Sequence, residues 1–180
     1  MATFVSDLVN KKIRHRGLYE GKEQTVTASF RLKPGTTLTT SDILQMVPAG
    51  ENVRPTKIVV GIKEVSGTPT YTGSVSVGVA PVLASDLVRP DGVAFPALSA
   101  SATLYSAALN LGTTATNYIT PAVAPTTNTK WGPFYVTLTP TGNNSVAGGE
   151  VDIFVTVEYT GEHVEAEPIY SEFNSTKYKN

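Results

Sequence analysis

The chain has 180 residues, a formal net charge of −1 and no cysteine. A chain of this length builds one domain with tails and buries a core unaided, and without cysteine it has no disulfide framework, thiolate metal site or cysteine nucleophile. Near-zero net charge gives no long-range field to recruit nucleic acid or an anionic membrane, and a charged fraction of only 16%, against ~25% in typical domains, points to an assembly component covered by neighbours.

Residues 1–12 lack an apolar h-region, and Asp7 interrupts the few hydrophobic side chains there, so no secretory signal is expected. No run approaches the ~20 apolar residues that span a bilayer. Phe4, Val5, Leu8, Val9 and Ile13 fall at helical spacings, but the stretch is too short for an independent helix. Lys11, Lys12, Arg14 and Arg16 add a basic cluster. Residues 1–21 therefore read as an N-terminal arm.

The body, residues 22–161, reads as strands. In residues 25–33, Val26, Ala28, Phe30 and Leu32 alternate with Thr25, Thr27, Ser29 and Arg31, and Pro34-Gly35 supplies a turn. An apolar run over residues 43–47 closes at Pro48-Ala49-Gly50. Residues 57–65 are strand-like, with Ile58, Val60, Ile62 and Val65 apolar. In residues 73–82, Val75, Val77 and Val79 share one face, and the small residues Ser74, Ser76, Gly78 and Ala80 on the other predict close approach by another layer or subunit. Residues 92–129 carry no charge at all. Leu98, Ala102, Tyr105 and Leu109 there fit one face of a short helix, and a long irregular excursion fits equally well. Phe134, Val136 and Leu138 mark a further strand.

The clearest element is residues 149–159. Val151, Ile153, Val155, Val157 and Tyr159 alternate with Asp152, Phe154, Thr156 and Glu158, which predicts a strand with one face on the core and the other mostly wet. Phe154 is the exception on the outer face and is expected to pack under a loop or a neighbouring subunit. From Gly161 onward hydrophobicity collapses, and residues 162–180 read as a C-terminal tail. About eight strands separated by turn signals imply an all-β, jelly-roll-like antiparallel β-sandwich with extended N- and C-terminal arms.

No catalytic constellation stands out. His15 and His163 both lie in the end segments, away from the scaffold that a triad or zinc site requires. Glu162, His163, Glu165 and Glu167 form the one carboxylate–imidazole cluster, and a solvated acidic tail accounts for it. Asp42, Glu64, Asp86, Asp91 and Asp152 are scattered, as glycosidase carboxylates can be in sequence, but mostly in turn contexts. No phosphate-binding glycine motif opens a helix. Neither an enzyme nor a cofactor or metal site is expected. Trp131 and Tyr135 leave a sugar-stacking surface open, so a carbohydrate-binding or adhesion module is the alternative reading.

The order "ILQMVPAGENVRPTKIVVGI", then "GSVSVGVAPV" with Gly78 mid-strand, then an Ala- and Ser-rich stretch and a last strand "GGEVDIFVTVEY" resembles the small jelly-roll decoration, or cement, proteins of tailed-bacteriophage capsids. The resemblance covers residues 26–159 and rests on pattern order, since Pro-Ala-Gly is a common turn; the long ends depart from it. It implies a non-enzymatic virion structural protein, made in the host cytoplasm, that stabilises the outer capsid surface. The implied partners are the major capsid protein and the chain's own copies, as a dimer or trimer, with no nucleic acid and no membrane. Phe4, Arg14, Arg16, Tyr19, Tyr170, Phe173 and Tyr178, set among the polar ends, are the expected partner-binding residues.

Overall fold

The structure, a computed structural model, describes residues 2–10, 24–49, 53–81, 100–112, 116–120 and 134–161. Among the described residues the chain forms β1 (Thr3–Val5), α1 (Asp7–Asn10), β2 (Gln24–Leu32), β3 (Thr37–Leu38), β4 (Ile43–Ala49), β5 (Val53–Thr72), β6 (Ser74–Pro81), β7 (Ser101–Asn110), β8 (Thr116–Ile119), β9 (Phe134–Pro140) and β10 (Asn144–Gly161). No helix among the described residues is long and apolar enough to cross a membrane.

The strands form two sheets. The first has the order β1-β4-β9-β6-β7 and the second β2-β10-β5-β8, with β3 pairing to β10 beside them. Pairing is antiparallel except for β1, which runs parallel to β4. The two sheets close on one core, in which Leu44, Met46, Val77, Phe134, Val136 and Leu138 of the first face Leu32, Ile58, Val60, Ile153, Val155 and Val157 of the second. The fold is thus the jelly-roll-like sandwich expected from the strand pattern.

Strand β10 shows why alternation was a sound guide. Val151, Ile153, Val155, Val157 and Tyr159 are all buried, and the residues between them are half-exposed. Its neighbours keep step: Val155 lies opposite Ala28 on one side and Val60 on the other, all facing inward. Strand β4 changes phase at a bulge between Gln45 and Val47, so the adjacent Met46 and Val47 are both buried. The same strand runs on through Pro48 and Ala49, where the sequence suggested a closing turn.

Strand β5 is longer than the apolar run at its start, extending to Thr72. Beyond Ile62 most of its residues are exposed, so no buried face imposes an alternation there. It then passes through Gly73 into β6, and β9 passes through residues 141–143 into β10, so one pair of strands serves both sheets. At this corner Asn144 is fully buried. Its Oδ1 accepts from the Ser74 N–H at 3.2 Å and its Nδ2 donates to the Ser74 carbonyl at 3.0 Å, imitating a peptide group where the ladder changes sheet.

Residues 101–110 form strand β7, not a helix or an irregular excursion; Leu98 lies outside the described residues. The reason is a pair of irregularities against β6. Val75 lies opposite Leu109, Val77 opposite Ser106 and Val79 opposite Ser101, so β7 carries more residues than its partner. The half-buried positions are consequently Ser101, Leu104, Tyr105, Ser106 and Leu109, with Ala102 exposed, and the bulged strand loses the period of two that would have marked it. The small residues of β6 serve this contact, because a β-carbon at Gly78 would run into the Ser101 carbonyl oxygen and the Ala102 backbone.

Candidate interaction surface

Three surfaces frame what this sandwich can do. The first is the edge carrying the N-terminal segment. The Ala2 N–H donates to Asp42 Oδ1 at 3.2 Å, the Ile43 N–H to the Ala2 carbonyl at 3.0 Å, and the Ser6 N–H to the Gln45 carbonyl at 2.9 Å. Ser6 is fully buried; its hydroxyl donates to the Met46 carbonyl and accepts from the Val9 N–H, capping α1. Asp42 is itself buried and accepts from both the backbone N–H and the hydroxyl of Thr39, each at 2.9 Å. Those Thr39 hydrogen bonds, with that of Ala2, hold its carboxyl below its ordinary value.

The second surface is the outer face of the second sheet. Arg31 grips Asp152 with two nitrogens, Nε at 2.8 Å and a terminal nitrogen at 3.0 Å, and Glu150 stands 3.8 Å from the guanidinium. At the other end Lys57 meets Glu158 at 3.1 Å. Between the two pairs, half-buried Phe154 lies opposite Ser29 and Gly61, and Val59 lies opposite Thr156 and Tyr118. Tyr118 is 72% exposed, the most exposed large hydrophobic among the described residues. Phe154 therefore has small neighbours, Ser29 and Gly61, on both sides in its own sheet, and Tyr118 lies on β8, one strand beyond β5.

The third surface is β7, the last strand of the first sheet among the described residues. Ala102, Thr103, Ala107, Ala108 and Asn110 are exposed there, and no charged residue occurs from Ser101 to Asn110.

Of the expected partner-binding residues, the structure describes Phe4. It is half-buried against Phe30 of the second sheet, ring centroids 5.6 Å apart at 62°. Residues 2–10 therefore dock on their own sandwich, because β1 finds an open edge at β4 and Phe4 an open ring at Phe30. Arg14, Arg16, Tyr19, Tyr170, Phe173 and Tyr178 lie outside the described residues, as do His15, His163, Asp86, Asp91 and Trp131. The signal for the second surface was in the sequence as Phe154 on a wet face; Tyr118 was hidden in the uncharged stretch.

Chemically, the described carboxylates are occupied or dispersed. Asp152 and Glu158 are ion-paired, Asp42 is hydrogen-bonded, and Glu64 is exposed. Among the described residues no group of three or more His, Cys, Asp or Glu could hold a metal ion. The hydrogen bond with Asp152 raises the Arg31 ionisation, and the other raised ionisations belong to core tyrosines. Burial pushes Tyr71 up to about 12 and also raises Tyr105 and Tyr159. Such phenols stay protonated at any working pH and offer no base or nucleophile.

No protein-family model matches the chain, and no curated protein does. Solved structures do. A chain of the capsid of Ralstonia phage GP4 is similar at a TM-score of 0.58 and 19% identity, over 90% of this chain and 99% of that one. A chain of the capsid asymmetric unit of cyanophage Pam1 matches at a TM-score of 0.49 and 18% identity, over 83% and 91% respectively. With the Ralstonia phage chain the likeness is one of architecture, carried along nearly the whole length of both.

Proposed function

We propose that this chain is a non-enzymatic virion structural protein that binds and stabilises the outer surface of a phage capsid. The observation that carries the reading is the near-complete overlap in fold with a chain of a phage capsid, in which neither protein has a large region without counterpart in the other. The low charge of the chain supports it from the physical side, as does the pairing of Asp152 with Arg31 and of Glu158 with Lys57. On this reading the partners are the major capsid protein and further copies of the chain, at the virion surface after synthesis in the host cytoplasm. Arg14, Arg16, Tyr19, Tyr170, Phe173 and Tyr178 supply contacts from the ends, and Phe4 contributes where a partner displaces it from Phe30.

Electron microscopy of particles carrying the chain tests this directly. A regular lattice of copies outside the shell, in fixed stoichiometry with the major capsid protein, is the expected result. Copies forming the continuous shell itself would make it a shell protein instead. Absence from particles, together with glycan binding abolished by Trp131→Ala, would replace this reading with the adhesion module.

A further inference from the structure

Asp42 is buried, and a carboxylate taken out of water needs hydrogen bonds or a cation in its place. A turn is built around it. The Asp42 N–H donates to the Thr39 carbonyl at 3.0 Å, and Thr39 returns its own N–H and hydroxyl to Oδ2, each at 2.9 Å. Oδ2 is thus used twice within the turn. Oδ1 faces the N-terminal segment, where the Ala2 N–H donates to it at 3.2 Å. A carboxylate offers about four acceptor sites, and these three donors are all neutral. The bond from Ala2 is the longest of the three and sits at the upper end for an N–H···O contact.

Ala2 is placed to supply more than a peptide N–H. The described hydrogen bonds of this edge begin with Ala2, whose carbonyl accepts from the Ile43 N–H at 3.0 Å. Each of those bonds is therefore kept if residue 1 is removed. The side chain of Ala2 is a single exposed methyl group, small enough to admit an exopeptidase to the bond before it. A positive charge at the amino end of the chain also lowers the Asp42 ionisation, so the carboxylate lies within reach of that charge before it moves any closer.

We propose that the mature chain begins at Ala2, hydrolysis of the Met1–Ala2 bond leaving an α-ammonium that pairs with the Asp42 carboxylate. One water is consumed: its oxygen completes the carboxylate of the released methionine, and its two protons turn the Ala2 amide nitrogen into an ammonium. That group has three donors where a peptide nitrogen has one, and a charge-assisted hydrogen bond is about twice as strong as a neutral one. Processing thereby fastens β1 to the turn that precedes β4. It concerns the chain's own edge and holds whichever surface meets a partner.

Intact mass and N-terminal sequencing of the full chain, expressed untagged in a bacterium, test the cleavage. A chain lighter by one methionine residue, with a free amine on Ala2, is the expected result. Retention of Met1, or an Ala2 whose charge is removed by acetylation, would overturn the proposal. Full chains beginning at Met1 and at Ala2, each released from a cleavable fusion, test the pairing by amide exchange. The Ile43 and Ser6 N–H groups should exchange about tenfold more slowly in the chain that begins at Ala2. With Asp42→Asn in both chains that difference should disappear. Should Asp42→Asn fail to fold, selective acetylation of the Ala2 amine removes the charge without touching the turn and should restore the faster exchange. Equal exchange in the two unsubstituted chains, a difference that survives Asp42→Asn, or exchange indifferent to acetylation would each overturn the pairing.

Discussion

Phe4 meets Phe30 edge to face, with ring centroids 5.6 Å apart. One ring belongs to the first strand of the first sheet and the other to the outermost strand of the second. The pair therefore spans the open flank of the sandwich, where no backbone ladder can reach.

Phe4→Ala should lower stability by about 1–3 kcal/mol, from the lost aromatic pair and partial burial. Removing residues 1–10 should lower the thermal midpoint further while leaving a single cooperative transition, because the core lies between other strands. Thermal unfolding followed by circular dichroism checks both. A midpoint unchanged by either would mean that the segment contributes nothing in cis.

Strand β10 supplies a test of register. Ile153→Ala and Val155→Ala should each cost about 2–4 kcal/mol. Thr156→Ala, which loses only an exposed hydroxyl contact with Thr27 at 2.8 Å, should stay within about 0.5 kcal/mol. Denaturant midpoints in the reverse order would mean that the strand is turned over, since a slip of one residue exchanges its faces.

The N-terminal edge should loosen in acid. Hydrogen bonds from Thr39 and Ala2 depress the Asp42 ionisation below its ordinary 3.8. A carboxylate depressed by folding contributes stability that is complete above its unfolded pKa and is lost as pH falls through the folded one. Amide protection at Ile43 and Ser6 should therefore hold above about pH 4 and fall below it. In Asp42→Asn that acid dependence should vanish. Protection that ignores pH in the unmodified chain would show that the edge is held by its ladder alone.

The corner should be brittle. Asn144→Ala strips a partner from both backbone groups of Ser74 and should cost about 2–3 kcal/mol. Gly73→Ala should be of similar size, since a β-carbon there would run into the Asn144 side chain. Exposed Asn143→Ala should remain within about 0.5 kcal/mol. Urea unfolding of the three variants decides the matter.

If the chain decorates a capsid, attachment should survive salt. Exposed ion pairs supply only ~0–1 kcal/mol each, and at about 1 M salt the Debye length shrinks to ~3 Å. Aromatic anchors repeated over symmetric copies hold by avidity instead. Particles washed in molar salt should keep their copies; release of most would show that the basic cluster from Lys11 to Arg16 or the acidic residues from Glu162 to Glu167 dominate.

The strands most legible in the sequence were those with one face on the core. Val26 to Leu32, Val75 to Val79, Phe134 to Leu138 and Val151 to Tyr159 alternate because the sandwich leaves them no choice. Strand β7 was illegible because its irregular pairing with β6 leaves Ser101, Leu104, Tyr105, Ser106 and Leu109 half-buried, with no period of two. The later part of β5 was missed because residues 63–68 are exposed and impose no pattern. Strand β1 was missed because three residues hold no period, and its pairing with Ile43, Leu44 and Gln45 is a matter of distant geometry. Phe4 reads in the sequence as an anchor for a partner, and in the structure its ring meets Phe30 of the same chain, a distant pairing that no local pattern encodes.

The corner at Gly73 and Asn144 bears on how the molecule takes mechanical load. Because β5 continues into β6 and β9 into β10, the two sheets are joined by covalent chain at the same end. A force that tries to part them at that end meets the paired backbone and the Asn144–Ser74 bridge. The sandwich is accordingly a book bound along its spine: it can loosen at the flank closed by Phe4 and Phe30 while the corner keeps the two covers in register.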